Sequence, residues 1–552
     1  MAAERPIPVY TNLADLYSNL GASLNHAVRW NNLAEEFQKR FGRKPAYIAR
    51  APGRVNLIGE HIDYALFGVL PAAIERDILI ACGPRPVPAS SPISEAHHSP
   101  GSVIAENLHT KYARQVFAPA RKASVSDEVG EDKVHVEGWH LDINTKELRW
   151  ESYVKAGYYG VLDHYFKSDV SNANATSPIP VDLLVTGSVP AGSGLSSSAA
   201  MVVASTLAFL AVNGKLDDQS NSLTKGELVK MSMENEKRVG VNSGGMDQAA
   251  SVISDASSAL FISFFPTLKA TPVPLPAGSV FVCANSLVVA DKAVGAKRGY
   301  NLRVVETLVG ARVLARALGV PVGEKERITL REVVGRLLGE EKEHELDVSD
   351  LQKGLERMAK EVEVLRPKGV PDDGELGVTM EEMIEMSGLP EDKFRDVYLS
   401  WVEVEATHFQ LYKRAKHVYA EALRVLQFRQ TCLDVSAGSP AGNDSGSNAA
   451  LERLGQLMNE SQTSCAELFE CSCPELNNLT QLARKAGAIG SRLTGAGWGG
   501  CTVSLVAEDK IQSFIEQIRD TYAPYKGLEG EALSEVIFAT RPSSGACVYK
   551  FE

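Results

Sequence analysis

Apolar positions in this chain switch between helical and strand periods, and the switches outline its elements. "LNHAVRWNNLAEEFQKRFG" repeats at helical spacing and leads into the strand-like "PAYIARAPG". "GVLPAAIERDILIACGP" reads as a buried turn followed by a strand. Residues 83–102 are rich in Pro and Ser and predict a surface insertion. A short β region follows ("SVIAENL", "HVEGWHLDI"), then a helix opening near "WESYVKAGYYGVLDHYF". "IPVDLLVTG" predicts a strand, and "AAMVVASTLAFLAVNG", apolar on every side, a buried helix. Beyond it come the helix "KGELVKMSMENEKRVG", the strands "ALFISFF" and "SVFVCANSLVVA", and the long helix "GYNLRVVETLVGARVLARALG". Residues 322–395 are densely charged and predict a helical insertion, followed by the helix "HFQLYKRAKHVYAEALRVLQF". The remainder alternates helix and strand, which predicts an α+β lobe with an antiparallel sheet.

One stretch fits two descriptions. "GSVPAGSGLSSSAAMVV", residues 187–203, has the composition of a flexible linker. It also lies between a predicted strand and a predicted helix start, where backbone N–H groups and the helix dipole converge on an anion.

Composition narrows the classes. The chain has 552 residues, 44% of them hydrophobic, enough for two packed lobes. A net charge of −12 argues against nucleic-acid binding and membrane-surface anchoring, both of which need basic patches. No long apolar run predicts a membrane span, and "MAAERPIPVYTNL" lacks a signal-peptide core. The eight cysteines sit mostly in strand-like runs such as "FVCANSL" and "GGCTVSLV", as reduced buried thiols do, which predicts a cytoplasmic protein. Cys471 and Cys473 form a C-x-C pair with no second pair to complete a zinc site.

The glycine clusters carry the chemistry. No Walker-type phosphate motif is present. "GAGWGG" (495–500) matches the dinucleotide pattern only formally, because a strand rather than a helix follows it; its glycines predict close backbone approach at a tight turn. "APGRVNLIGEHIDY" (51–64) packs Arg54, Asn56, Glu60, His61 and Asp63 around Leu57–Ile58, more ionisable groups than a plain surface loop needs. Carboxylates and an imidazole on one turn suit a polyhydroxylated ligand, and an arginine beside them supplies a fixed cation. In "VNSGGMDQAAS", Asp247 follows two glycines and precedes a helix, where it is either an N-cap or a carboxylate facing a hydroxyl.

In these segments the sequence resembles the galactokinase family of GHMP small-molecule kinases, in a fungal style. "GRVNLIGEHIDY" is similar to the family's signature, "GSGLSSSAA" to its phosphate loop and "LTGAGWGGCTVSL" to its third motif, in the family's order. "VGVNSGGMDQAAS" and "YNLRVVE" resemble it too, and the likeness runs from about Tyr10 to Phe551. The resemblance implies an α+β, two-lobed fold. A ribosomal-S5-like N-terminal lobe would span 1–280 and a ferredoxin-like C-terminal lobe 281–552, with the site between them.

It also implies ATP and Mg2+ as cofactors and transfer of phosphate to galactose. Gly192, Gly194, Ser196 and Ser197 would hold the phosphates, and Trp150 would lie near adenine. Ala290, Asp291 and Lys292 would touch the nucleotide, the first two as departures that leave mainly backbone contacts. Ser198 and Glu236 would reach magnesium. Glu60, His61, Asp63, Ser243, Gly245 and Tyr300 would bind the sugar, with Ser243 standing where some fungal relatives have Asn. Asp247 would take the proton from the anomeric hydroxyl, while Arg54 would hold Asp247 ionised and stabilise the moving phosphoryl charge.

Some fungal relatives are sugar sensors that contact a regulatory protein, so a sensor or a bifunctional kinase and sensor is the competing reading. The complete "GSGLSSSAA", Arg54 and Asp247 favour the kinase. N-acetylgalactosamine and arabinose stay open as acceptors, and so does a protein-interaction scaffold built on the two insertions.

Overall fold

The computed structural model describes residues 2–16, 20–86, 99–125, 135–145, 147–169, 177–217, 223–240, 244–289, 295–340, 345–367, 377–438 and 444–552. Its organising element is the strand Tyr47–Ile58, whose residues after Tyr47 are all buried. A strand buried on both faces must be covered on both, and this one is. Helix Ser197–Val212 packs on one side, with Trp150–Tyr165 and Lys225–Glu236 beyond it. On the other side Trp30, Leu33 and Phe37 of helix Leu20–Phe41 meet Ile48, Leu79 and Leu184.

Seven strands form this sheet, in the order Val9–Tyr10, Cys547–Lys550, Tyr47–Ile58, Leu70–Pro84, Val181–Gly187, Val103–Asn107, Gln115–Phe117. Pairing is antiparallel except for Val9–Tyr10 on Cys547–Lys550 and Val103–Asn107 on Val181–Gly187. The chain's last strand therefore closes the sheet built by its first strands. The stretch read as a turn and strand is one strand, Leu70–Pro84, beside a register shift where Pro52 and Arg54 flank Gly53. Of the expected surface insertion 83–102, residues 87–98 lie outside the described residues.

The second sheet has four antiparallel strands in the order Gly490–Leu493, Cys501–Ala507, Ser279–Asn285, Ile537–Thr540. With helices Pro474–Lys485 and Ile511–Thr521 they form the β-α-β-β-α-β arrangement of ferredoxin-like lobes. Val282, Val506, Leu479, Phe514, Ile518 and Tyr525 fill its core. Residues 322–395 include helices Leu330–Leu337, Val348–Glu361 and Met380–Ser387 and the start of Glu391–Tyr398. Capping boxes at Thr329–Glu332 and Thr379–Glu382 begin two of them. Met358, Met383, Phe394 and Tyr398 join the main core beside helices Tyr300–Ala317 and Leu411–Gly438. Among the described residues no helix is long and apolar enough to cross a membrane.

Candidate active site

Strand Val181–Gly187 runs into a loop that wraps back before helix Ser197–Val212. Gly192, Gly194 and Ser196 take left-handed backbone angles (φ 68°, 75° and 60°), which turns the loop around a concavity. Ser196 makes no side-chain cap, and its buried Oγ has no partner among the described residues. A helix N-terminus with uncapped N–H groups at the mouth of a hollow is an anion cradle. The stretch that doubles as linker composition is thus an ordered loop.

The third motif packs against this loop backbone to backbone. A Cβ on Gly495 (φ 85°) would overlap the Gly194 carbonyl, and one on Gly500 would lie 2.7 Å from the Ser193 carbonyl oxygen. The glycines of "GAGWGG" thus permit the close approach expected of them. A cavity of about 930 Å³ opens over the loop. Trp150, Gly192, Gly194, Ser196, Ser197, Ser198, Glu236 and Asp247 are among the residues that line it. The Trp150 ring lies 6.3 Å from that of Tyr112, and its buried Nε1–H finds no partner among the described residues. Glu236 accepts a 2.6 Å hydrogen bond from Gln248 Nε2. Volume and lining suit a nucleotide, with aromatic rings for a base and backbone donors for phosphates. Ser198 and Glu236 offer hard oxygen ligands on the same cavity, the type magnesium takes alongside phosphates and water.

Asp247 is the second residue of helix Met246–Ile253, which starts from Gly245 at φ 103°. It does not cap that helix with its side chain. Arg54, 1% exposed in strand Tyr47–Ile58, donates from Nε to Asp247 Oδ1 at 2.8 Å, and its Nη2 forms an ion pair with the same oxygen at 2.6 Å. Its Nη1 donates to the Gly194 carbonyl at 2.6 Å. One guanidinium therefore ties the carboxylate to the anion-cradling loop.

Close to this pair lies a group of buried polar side chains. Glu60, His61, Asp63 and Tyr300 are each buried. Asp63 Oδ2 accepts from the Met246 N–H at 3.4 Å, and a Cβ on Gly244 would collide with the Asp63 carboxylate. Burial, and then the nearby Asp247 charge, push the Asp63 carboxyl up to about 6. Burial pushes Glu60 up to about 7 against the pull of Arg492 and Arg54. Glu60 Oε2 accepts from Arg492 Nη2 at 3.1 Å and from the Gly495 N–H at 3.2 Å. His61 holds a left-handed backbone (φ 61°), which costs an ordinary residue about 1–2 kcal/mol. Its Nε2 lies 2.9 Å from the Ala496 carbonyl oxygen and its Nδ1 3.2 Å from the Tyr64 hydroxyl. Its ring packs 5.5 Å from that of Tyr300.

The structure thus gathers the first motif, the phosphate loop, Asp247, Tyr300 and the third motif around one junction. Ser243, Ala290, Asp291 and Lys292 lie outside the described residues. Sequence reasoning did not single out Arg492, or Arg76, His109 and Tyr112 on the cavity wall. Nothing in their sequence neighbourhoods distinguishes them from surface or core residues.

Comparison with known proteins agrees with this geometry. Residues 35–84 match the galactokinase galactose-binding signature, 154–255 the GHMP kinases N terminal domain and 447–524 the GHMP kinases C terminal domain. A galactokinase of Dictyostelium discoideum is 36% identical over 98% of this chain and 97% of its own. One of Saccharomyces cerevisiae is 34% identical over 94% of each. The fold is that of the crystal structure of Lactococcus lactis galactokinase complexed with galactose (TM-score 0.59, 22% identity, 94% of this chain and 99% of that one). With relatives above 30% identity along almost its whole length, and the signature falling on the strand and turn that carry Arg54, Glu60, His61 and Asp63, the chain belongs to the galactokinase family.

Proposed function

We propose that this protein transfers the γ-phosphoryl group of ATP to the anomeric hydroxyl of α-D-galactose, giving galactose 1-phosphate and ADP. The observation that carries the reading is the Arg54 guanidinium, bonded at once to Asp247 and to the Gly194 carbonyl of the phosphate loop. It sits between the cavity over the phosphate loop and the buried Glu60 and Asp63 carboxyls, so a hydroxyl bound beside Asp247 would face a phosphate held by the loop.

In this reading, backbone N–H groups around Gly192, Gly194, Ser196 and Ser197 hold the phosphates, and Trp150 covers the base. Glu60, His61, Asp63, Gly245 and Tyr300 fix the sugar, with Ser243 beside them. Ala290, Asp291 and Lys292 edge the nucleotide. Asp247 accepts the proton of the anomeric hydroxyl as its oxygen bonds to the γ-phosphorus, and the bond from that phosphorus to the β,γ-bridging oxygen breaks. Arg54 offsets the negative charge on the moving group and keeps Asp247 aligned. Ser198 and Glu236 would hold magnesium, which supplies charge neutralisation at the phosphates. Most of the rate then comes from positioning and electrostatics, as a loose transition state requires. The division at 280/281 belongs to the same proposal, with the final strand returning to the first lobe.

The test is ADP release from purified protein with ATP, magnesium and galactose, alongside Asp247→Ala. Galactose-dependent turnover that disappears in the variant is expected. Galactose binding without turnover in the unmodified protein would replace the kinase by a sensor.

A further inference from the structure

The turn that carries Glu60 and His61 is held from behind by helix Leu411–Gly438, which lies outside all three matched family segments. Three of its residues, His417, Glu421 and Val425, are spaced four apart and share one face. Glu421 is wholly buried. Its Oε1 accepts from the Gly59 N–H at 2.9 Å, the Glu60 N–H at 3.2 Å and the Ser461 hydroxyl at 2.7 Å. Its Oε2 accepts from Arg424 Nε at 2.8 Å. His417, equally buried, lies with Nε2 3.0 Å from the Glu60 carbonyl oxygen and Nδ1 2.8 Å from Ser464 Oγ. Burial pushes the imidazole down to about 4, so it is neutral: Nε2–H donates to the carbonyl and Nδ1 accepts from the hydroxyl. Val425 packs where a Cβ on Gly59 would stand.

The helix therefore fixes both N–H groups and the carbonyl around Glu60. The same turn has left-handed backbone at Gly59 (φ 108°) and His61 (φ 61°). Such conformations persist only where the surroundings over-determine them. Neither Glu421 nor His417 has a surface that a ligand can reach.

Resting on the galactose-kinase reading above, we infer that Glu421 and His417 are positioning residues for the sugar pocket: they clamp the Gly59–Glu60 backbone, orient Glu60 and His61, and so set galactose affinity without touching galactose. ATP binds on the other side of the Arg54–Asp247 pair, which the clamp reaches only through the Glu60 carboxylate on the Gly495 N–H, so galactose affinity should move much more than ATP affinity.

The experiment measures KM for galactose and for ATP in Glu421→Gln and Glu421→Ala. An amide oxygen at Oε1 still accepts from Gly59, Glu60 and Ser461, and the amide nitrogen at Oε2 gives up only the Arg424 bond, which does not touch the turn, so the Gln variant should keep galactose KM within about threefold. The Ala variant, which leaves buried N–H groups unpaired, should raise it about tenfold to a hundredfold with ATP KM little changed. If Glu421→Ala does not fold, His417→Gln against His417→Leu makes the same comparison through the Glu60 carbonyl. An unchanged galactose KM in a folded Ala or Leu variant, or an ATP KM that rises by the same factor, overturns the inference. Absence of galactose turnover in the unmodified protein would instead strike the kinase reading, before any variant is compared.

Discussion

Arg54 is the residue on which the proposed reaction depends most directly. Its guanidinium, 1% exposed, makes three short charge-assisted contacts: two to Asp247 Oδ1 and one to the Gly194 carbonyl. Arg54→Ala removes all three and deprives a buried carboxylate, itself only 8% exposed, of its counter-charge. Breaking a buried pair by deleting one partner costs about 3–5 kcal/mol. Expressed in the transition state, that is a loss of about 10²- to 10⁴-fold in kcat. Arg54→Lys restores the charge, but one ammonium cannot reach Asp247 and the Gly194 carbonyl in the same fork, so it should recover only part of the rate. Because Arg54 and Asp247 act as a unit, the double variant Arg54→Ala/Asp247→Ala should be little worse than Asp247→Ala alone. The assay is steady-state ADP release at saturating ATP and galactose, with circular dichroism to show that each variant is folded. A folded Arg54→Ala enzyme with kcat within about threefold of the unmodified protein, or fully additive losses in the double variant, would refute the reasoning.

Two further outcomes follow from the same geometry. Burial, then Asp247, raise the Asp63 carboxyl to about 6, so the native state binds this proton more tightly than the unfolded chain. The stabilisation it gives is complete below the unfolded value near 4 and is lost as pH rises through about 6, amounting to roughly 2–3 kcal/mol. Urea unfolding without sugar should therefore show stability falling across that window and a flatter profile in Asp63→Asn, and equal slopes would contradict the burial argument. Gly495→Ala places a methyl against the Gly194 carbonyl at a positive φ, whereas Gly527, also at φ 85°, has open space around it. Gly495→Ala should cost at least about 2 kcal/mol more than Gly527→Ala and raise KM for ATP, because the phosphate loop must shift; equal unfolding midpoints would show that the close approach is not rigid.

The motif-bearing loops were legible because their chemistry is local. "GSGLSSSAA" turns on left-handed backbone at three positions, and glycine takes two of them, Gly192 and Gly194, at no steric cost. "GRVNLIGEHIDY" concentrates its ionisable groups within one turn of chain. Asp247 was ambiguous between a cap and a catalytic carboxylate, since both readings fit a residue after two glycines. Its partner, Arg54, lies 193 residues earlier, and only their contact separates the readings. His417, Glu421 and Arg492 were illegible for the same reason. Each reads as an ordinary polar residue of a helix or strand until the chain brings it to Glu60.

By itself, the sequence determined the helices and strands with clear periods, the anion-cradling turn and the family's set of reactive groups, because these follow from backbone conformation and residue type over short spans. Only the tertiary structure decided that the last strand completes the first sheet, that the third motif lies on the phosphate loop and that helix Leu411–Gly438 grips the Glu60 turn. It also set the pKa values of Glu60 and Asp63, which burial raises. Burial and long-range pairing depend on which distant surfaces exclude water together, and no short stretch of chain encodes that.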